Sequence, residues 1–217
     1  MTPMTSSDPA DHPAGWTVVV PVKGGPGAKS RLGHPARRDL AAAVALDTVA
    51  AVLACPRVSQ VLVVTADART AADHTALGAV VVHDPGGGLA GALAAGAAAA
   101  GVIPCALVLA DLPALRPEDL TAALGACETA LAAGASQVTV PDADGTGTVL
   151  LAAGSAAVLR PRFGPGSAAA HAAEAVVLTG APDRLRRDVD TAEHLAEAAR
   201  HGVGPRTAAV LAAAGHR

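Results

Sequence analysis

Short runs of valine and leucine alternate along the chain with longer stretches rich in alanine and leucine. Uninterrupted apolar runs of this length are typical of strands buried on both faces of a parallel sheet, and the longer stretches are typical of the helices that connect them. The pattern predicts strands at 16–22, 58–65, 79–83, 105–110 and 137–141. It predicts helices near 38–54, 69–77, 89–100 and 117–133. The chain is therefore expected to be an α/β protein built from right-handed βαβ units.

The pattern becomes irregular after residue 141. Turns rich in glycine and threonine come first, followed by a strand at 149–153, a Pro/Gly cluster at 161–166, a strand at 175–178 and a last helix from Thr191. Irregular loops on a rigid scaffold commonly carry the substrate site. We expect one domain over 16–217, preceded by a disordered leader at 1–15 that has no targeting role.

Composition and charge narrow the functional classes. With 51% hydrophobic residues, 16% charged residues and a net charge of -3, the chain resembles neither a disordered segment nor a basic nucleic-acid-binding module. The mean hydropathy of +0.40 reflects abundant alanine, and no uncharged apolar run approaches the roughly 20 residues of a spanning helix. We expect a cytoplasmic protein with no nucleic-acid or membrane partner. The widely spaced Cys55, Cys105 and Cys127 predict buried thiols, not a disulfide framework or a zinc cluster.

Segment 23–31 follows the first predicted strand directly and is rich in glycine and basic residues. Its glycines, Gly24 among them, allow backbone N–H groups to approach an anion, and Lys23, Lys29 and Arg31 supply positive charge. The segment matches neither the P-loop pattern nor the dinucleotide-binding pattern. It predicts a phosphate-binding loop, with a basic surface turn as the alternative.

Carboxylates stand at two places where strands or loops end. Asp111 follows the buried strand at 105–110, and Asp188 and Asp190 are spaced so that both side chains share one face of an extended segment. Mg²⁺ is commonly held by one or two carboxylates together with substrate phosphates, so these residues are candidate ligands. Helix capping is the alternative for each of them.

Three other features of the sequence are less informative about function. The segments 144–148 and 162–167 combine hydroxyl groups with glycine turns, which suit a small carboxylate or phosphate but also occur in plain hairpin turns. The glycines at 86–88 could admit a nucleobase or form a flexible connector. The eight histidines show no metal-binding spacing, and most are expected at the surface.

Taken together, the motifs resemble those of the guanylyltransferases of coenzyme F420 biosynthesis, which join the GMP unit of GTP to a three-carbon phospho-acid. In chain order they are Val-Pro-Val-Lys ending at Lys23, Ala-Lys-Ser-Arg-Leu (28–32), Ala-Asp-Leu-Pro-Ala-Leu (110–115), Asp-Gly-Thr-Gly-Thr (144–148), Arg-Phe-Gly-Pro-Gly-Ser (162–167) and Asp-Val-Asp-Thr (188–191). The resemblance spans nearly the whole chain from Trp16 onward. It implies a nucleotidyltransferase-like, Rossmann-like α/β fold with a mostly parallel sheet flanked by helices.

The resemblance also implies substrates. The bacterial branch of this family uses phosphoenolpyruvate, and the archaeal branch uses 2-phospho-L-lactate. The GC-rich composition and the match at 144–148 and 162–165 favour phosphoenolpyruvate as the acceptor. The alternative acceptors are 2-phospho-L-lactate and 3-phosphoglycerate. By position, Thr148, Gly164 and Ser167 correspond to phosphoenolpyruvate contacts. The product would be enolpyruvoyl-2-diphospho-5'-guanosine, with hand-off to the downstream F420-pathway transferase as a further expectation.

The remaining roles implied by the resemblance concern phosphate and metal. Lys23, together with Lys29 and Arg31, would hold phosphates of GTP or of the acceptor. Asp111 would hold Mg²⁺ together with Asp188 or Asp190. Lys23 and Asp111 are thus the predicted catalytic residues.

The chain departs from the family pattern at one place. Leu89-Ala90 stands where the family usually has Leu-Asn, so an asparagine contact to the nucleotide is absent here. Two other functions remain open from the sequence: a different nucleotidyltransferase, of the cytidylyl or molybdopterin type, and a non-catalytic nucleotide-binding regulator on the same fold.

Overall fold

Seven strands form one mixed sheet in the described part of the chain. The structure is a computed structural model and describes residues 15–24, 36–101 and 103–215, so the expected leader at 1–15 lies outside it except for Gly15. The strands are β1 (Trp16–Pro21), β2 (Val58–Thr65), β3 (Val80–His83), β4 (Cys105–Val108), β5 (Val138–Pro141), β6 (Thr148–Ala153) and β7 (Val176–Val177). Their order across the sheet is β3-β2-β1-β4-β6-β5-β7.

The sheet is parallel except at β6, which runs antiparallel to both of its neighbours, β4 and β5. Segment 142–147 joins β5 to β6 and is too short for a crossover helix, so the chain must reverse direction there. The predicted mostly parallel α/β sheet is confirmed, with strand ends displaced by one or two residues.

The described residues also form helices on both faces of the sheet. They are α1 (Arg37–Leu53), α2 (Ala68–Ala76), α3 (Gly88–Ala100), α4 (Pro117–Ala132), α5 (Ser167–Ala172), α6 (Asp183–Arg186), α7 (Ala192–His201) and α8 (Pro205–Gly215). The short helices α5 and α6 were not predicted. The single last helix predicted from Thr191 is wrong, because Gly202 ends α7 with a positive φ of 84° and Pro205 begins a second helix.

The core lies on both sides of the sheet, which explains why the strand sequences are continuously apolar. In β1, Val18 and Val20 pack into one buried cluster, whereas Val19 packs into the cluster on the opposite face. All three valines have no exposed surface. A strand buried on both faces needs mostly apolar side chains, and β1 supplies them at every position except Thr17, which is also buried.

Helix α3 packs very closely against the sheet at Gly96. A Cβ atom added there would lie 2.2 Å from Val19 Cγ1 and 2.9 Å from Val64 Cγ2. Glycine costs helix stability relative to alanine, but here it permits a backbone approach that a methyl group would block. This contact places the beginning of α3 beside the edge of the sheet where β1 and β4 end.

The C-terminal helix is attached to α1 by a buried carboxylate. Asp47 accepts hydrogen bonds from the backbone N–H groups of Thr207 (2.8 Å) and Arg206 (3.3 Å), and its residue is only 5% exposed. These bonds satisfy N–H groups in the first turn of α8, which have no partner within the helix itself. Asp47 thereby caps α8 from a distant part of the sequence.

The cysteines are buried free thiols, as predicted. Burial raises the pKa of Cys105 to about 12, and burial together with the neighbouring Glu128 charge raises that of Cys127 to about 12. Thiols with such pKa values are unreactive as nucleophiles near neutral pH. In the described ranges, no helix is long and apolar enough to cross a bilayer.

The packing at Gly96 yields a stability prediction. Gly96→Ala is expected to lower the free energy of unfolding by about 1–3 kcal/mol, because the methyl group collides with Val19 and Val64. Gly125→Ala in α4 is the matched control, since its methyl group would meet only the Arg57 guanidinium group at 3.3 Å and should gain about 0.5–1 kcal/mol. Urea unfolding measures both; equal stabilisation of the two variants would contradict the close packing of α3.

Candidate active site

A cavity of about 710 Å³ opens at the carboxyl-terminal edge of β1 and β4. Ligands of open α/β sheets bind at this edge, because loops that follow parallel strands converge there. The cavity is lined by most of the described residues that the sequence singled out. These are Lys23, Asp111, Thr148, Gly164, Ser167, Asp188 and Asp190.

Lys23 and Asp111 share the cavity because their strands are neighbours. Residues of β1 and β4 pair in parallel, from Thr17 with Cys105 to Val19 with Leu107. The chain leaves both strands at the same edge, so the Lys23 ammonium group and the Asp111 carboxylate line one opening. Lys23 is exposed and Asp111 is partly buried.

The segment that carries Asp188 and Asp190 is anchored beside Asp111. Val189 is buried among Leu40, Val44 and other residues of a small core, and its N–H donates to the Asp111 carbonyl oxygen at 3.0 Å. Burying Val189 turns the side chains on either side of it toward the cavity, which both aspartates line. Thr191 caps α7 by accepting from the His194 N–H group at 3.2 Å, so neither aspartate has that role.

These carboxylates supply oxygen ligands but do not form a complete metal cage. Among the described residues, no group of three or more His, Cys, Asp or Glu side chains is placed to hold a metal ion. Magnesium commonly takes one or two protein carboxylates, with substrate phosphates and water completing its coordination. Asp111 with either Asp188 or Asp190 would supply the one or two carboxylates that fit a cation bound together with a phosphorylated substrate.

Asp142 shapes the loop between β5 and β6. Its carboxylate accepts hydrogen bonds from the N–H groups of Thr146 (2.9 Å) and Gly147 (2.6 Å), and the residue is only 8% exposed. A Cβ atom on Gly147 would lie 2.3 Å from Asp142 Oδ2, so only glycine allows this approach. The loop is therefore rigid on the cavity side, and it holds Thr148 at the start of β6.

Ser167 begins α5 at the far wall of the cavity and is buried. Its N–H donates to the Gly164 carbonyl oxygen at 3.1 Å, and the next residue, Ala168, donates its N–H to the Thr146 carbonyl oxygen at 3.2 Å. These bonds connect the segment 164–168 to the β5–β6 loop. Thr148, Gly164 and Ser167 consequently form one connected wall of the cavity.

His171 lies behind that wall. His171 Nδ1 is 2.8 Å from Thr148 Oγ1, and both residues are 2% exposed. Burial, followed by the positive charge of Arg162, holds the pKa of His171 below its ordinary value, while Glu174 acts in the opposite direction. The imidazole is therefore neutral at neutral pH.

Three predicted phosphate-binding residues are not among the described residues that line the cavity. Lys29 and Arg31 lie outside the described residues. Gly24 does not line the cavity; a Cβ atom there would lie 2.3 Å from Asp67 Cβ, so this glycine permits close packing against the beginning of α2. Leu89 lines the cavity from α3, whereas Ala90 does not.

Asp142 and His171 are the residues that the sequence did not reveal. Asp142 precedes the Asp-Gly-Thr-Gly-Thr motif by two positions, and an aspartate before a glycine turn is a signal for a side-chain cap of that turn. The signal for His171 is its spacing of four from Ser167, which puts both on one helix face, but α5 itself was not predicted. His74 and His171, each 2% exposed, are exceptions to the expected surface position of most histidines.

Two solved structures illustrate proteins with a similar fold. CMP:2-keto-3-deoxy-manno-octonic acid synthetase complexed with CTP aligns with a TM-score of 0.52 at 15% identity, covering 84% of this chain and 96% of that one. 4-Diphosphocytidyl-2C-methyl-D-erythritol synthase aligns with a TM-score of 0.54 at 16% identity, covering 86% of this chain and 97% of that one. At these identities the likeness shows only that the chain shares the α/β fold of these two enzymes.

Sequence relatives are much closer. Phosphoenolpyruvate guanylyltransferase of Salinispora arenicola is 56% identical over 199 residues, covering 89% of this chain and 92% of the relative. The protein of the same name from Streptomyces coelicolor is 50% identical over 208 residues, covering 91% and 96%. The family model described as "Guanylyl transferase CofC like" matches residues 16–215. The chain therefore belongs to the CofC-like guanylyltransferase family.

Proposed function

We propose that this protein transfers the GMP unit of GTP to phosphoenolpyruvate, releasing pyrophosphate and forming enolpyruvoyl-2-diphospho-5'-guanosine for coenzyme F420 biosynthesis. The observation that carries the proposal is one cavity lined by the cation Lys23, by carboxylates and by the buried hydroxyl groups of Thr148 and Ser167. Relatives that share about half of its residues bear the name phosphoenolpyruvate guanylyltransferase.

The nucleotide phosphates belong on the side of Lys23 and the carboxylates. Lys23 is exposed and lines the cavity, so its ammonium group can reach an anionic phosphate oxygen there. Lys29 and Arg31, and the backbone of Gly24, are proposed as further phosphate contacts of the same loop. Leu89 supplies an apolar surface for the nucleoside from the opposite side.

Asp111, with Asp188 or Asp190, would hold Mg²⁺ between the protein and the substrate phosphates. When bound, the ion supplies positive charge that offsets the negative charge on the transferred phosphoryl group. The hydrogen bond from Val189 N–H to the Asp111 carbonyl oxygen keeps the two carboxylate segments together whether or not a substrate is present.

The acceptor side is formed by Thr148, Ser167 and the backbone of Gly164. Neutral hydroxyl and N–H donors suit this side, because the acceptor phosphate must stay nucleophilic and a fixed positive charge on its attacking oxygen would reduce that nucleophilicity. Two hydroxyl groups on a rigid wall orient the acceptor without neutralising it.

The reaction itself requires little proton transfer. An oxygen of the acceptor phosphate forms a bond to the α-phosphorus of GTP, and the bond from that phosphorus to the bridging oxygen of the β-phosphate breaks. The electron pair leaves with pyrophosphate. Because the acceptor phosphate is already an anion, no general base is needed, and the residues contribute alignment and charge neutralisation.

We also propose that the protein works in the cytoplasm and passes its labile diphosphate product to the downstream transferase of the pathway. The free, buried thiols among the described residues are consistent with a reducing compartment. Asp190 and Lys23 line the cavity and are exposed, so the cavity is open to solvent where they lie.

Pyrophosphate release tests the proposal directly. The full chain with Mg²⁺ and pyrophosphatase is offered GTP, ATP or CTP, each combined with phosphoenolpyruvate, 2-phospho-L-lactate or 3-phosphoglycerate. We expect release from GTP with phosphoenolpyruvate at a rate at least tenfold above every other pair. Release confined to CTP, or GTP binding without release from any pair, would contradict the proposal.

Asp111→Asn tests the metal-binding side. The substitution keeps the shape of the side chain and removes its charge, so kcat should fall about a hundredfold or more while the urea midpoint stays unchanged. Asp73→Asn, on the surface of α2, is the control and should keep normal turnover. Normal turnover by folded Asp111→Asn would remove this residue from the site.

Ser167→Ala tests the acceptor side. Losing one hydrogen-bond donor should raise the KM for phosphoenolpyruvate roughly fivefold to tenfold and leave the KM for GTP nearly unchanged. Ser59→Ala provides a control, because the Ser59 hydroxyl bonds to the Gly15 carbonyl oxygen away from the cavity. If both KM values rose equally in Ser167→Ala, the assignment of Ser167 to the acceptor would be wrong.

A further inference from the structure

The Thr148–His171 pair lies at the back of the acceptor wall. Thr148 lines the cavity, but His171 does not; its ring sits one layer deeper, with its edge toward Phe163 at a centroid distance of 5.1 Å. The two side chains meet at 2.8 Å between Thr148 Oγ1 and His171 Nδ1. A polar pair that is this deeply buried needs all of its hydrogen bonds to be matched.

The second ring nitrogen of His171 decides which atom is the donor. The backbone N–H of Arg162 donates to His171 Nε2 at 2.8 Å. A backbone N–H can only donate, so Nε2 must be unprotonated and the proton of the neutral ring must be on Nδ1. His171 Nδ1 therefore donates to Thr148 Oγ1, and the hydroxyl accepts.

The charged groups around the ring maintain this state. Arg162, on the segment before α5, disfavours a charged imidazole, as does burial; Glu174, after α5, favours it but is itself paired with Arg162. An imidazolium would also direct an Nε2–H at the Arg162 N–H. Burial, charge and hydrogen-bond geometry thus select the same neutral tautomer.

The tautomer determines what Thr148 can offer a ligand. Once Thr148 Oγ1 accepts from His171, its own hydrogen must be donated elsewhere. Within the described ranges, no second hydrogen bond involves this hydroxyl, and Thr148 lines the cavity. An anionic oxygen in the cavity is the natural acceptor for that hydrogen.

We infer that His171 is a positioning residue for the acceptor substrate: it fixes the Thr148 hydroxyl as a hydrogen-bond donor aimed at an anionic oxygen of phosphoenolpyruvate. The inference rests on the proposed function, since it names what holds one of the acceptor contacts in place. The phosphate or carboxylate oxygen that receives the hydrogen is recognised by its charge. A hydroxyl free to rotate would present a lone pair to the same anion for part of the time, which repels it.

A different role for His171 is to anchor segment 162–166 through the Arg162 N–H. Two substitutions separate the roles, because each retains one half of the imidazole. In His171→Asn, the side-chain amide nitrogen occupies the place of Nδ1 and can still donate to Thr148, whereas the Arg162 bond is lost. In His171→Gln, the longer side chain reaches the place of Nε2 and can accept from Arg162, whereas the Thr148 bond is lost.

Initial rates with GTP and phosphoenolpyruvate are measured for the full-length wild type and both variants. His171→Gln should raise the KM for phosphoenolpyruvate about tenfold, with a change below about twofold in the KM for GTP. His171→Asn should stay within about threefold of wild type. A larger KM for phosphoenolpyruvate in His171→Asn than in His171→Gln would overturn the inference. An equal rise of the KM for phosphoenolpyruvate and the KM for GTP in His171→Gln would also overturn it.

A double variant shows whether His171 acts through Thr148. Thr148→Val removes the hydroxyl and keeps the shape, so adding His171→Gln to it should raise the KM for phosphoenolpyruvate no further. If the rise in the KM for phosphoenolpyruvate in the double variant equalled the product of the rises in the two single variants, His171 would act independently of Thr148. That result would overturn the inference. His74→Gln is the control for burial, because His74 is also 2% exposed but bonds to the Thr70 carbonyl oxygen in α2.

Direct titration with phosphoenolpyruvate separates this inference from the proposed function. If the wild type turns over phosphoenolpyruvate and His171→Gln binds phosphoenolpyruvate as tightly as the wild type does, the role of His171 is overturned and the proposed function stands. Wild type that neither binds nor consumes phosphoenolpyruvate overturns the proposed function and the inference together. If His171→Gln fails to fold, as judged by urea unfolding, the comparison of Thr148→Val with His171→Asn decides instead: equal KM values for the two overturn the inference.

Discussion

The pairing of β4 with parallel β1 on one side and antiparallel β6 on the other is the constraint on which the site depends. Because β6 runs in the opposite direction, its first residue, Thr148, lies at the same edge where β1 and β4 end. The bond from Leu109 N–H to the Val149 carbonyl oxygen, 3.1 Å long, extends this pairing almost to Asp111. A sheet with all strands parallel would place the start of β6 at the opposite edge, far from Lys23 and Asp111.

At this edge of the sheet, three residues hold the candidate substrate-binding groups in position. Asp142 orders the loop before β6, Val189 anchors the two late aspartates beside Asp111, and His171 orients the Thr148 hydroxyl. None of these supports depends on a substrate. Preorganised groups of this kind lower the cost of bringing two anionic substrates together, which is the main obstacle in phosphoryl transfer between them.

Much of this arrangement could be predicted from the sequence. The rest depends on features that leave only a weak local signal in the sequence. The strands β1, β2, β4 and β5 are rich in apolar residues, so their burial could be predicted, whereas the edge strand β3 is only partly buried. The antiparallel direction of β6 depends on the short connection 142–147, and α5 has only six residues, too few for a periodic signal. Without α5, the relation between Ser167 and His171 could not be seen. The break between α7 and α8 depends on the positive φ of Gly202, and the signal for it in the sequence, Gly202 and Gly204 before Pro205, was not used in predicting one helix.

The central claim is that two different sets of groups in one cavity bind the two substrates: the hydroxyls of Thr148 and Ser167 bind the acceptor, and Lys23 with the carboxylates binds the nucleotide phosphates. A crystal structure of the protein with phosphoenolpyruvate, Mg²⁺ and a non-hydrolysable GTP analogue tests this most directly. The account predicts phosphoenolpyruvate oxygens within about 3 Å of the Thr148 and Ser167 hydroxyls, with the analogue's phosphates beside Lys23. Phosphoenolpyruvate bound against Lys23, or nucleotide phosphates bound against Thr148, would contradict it.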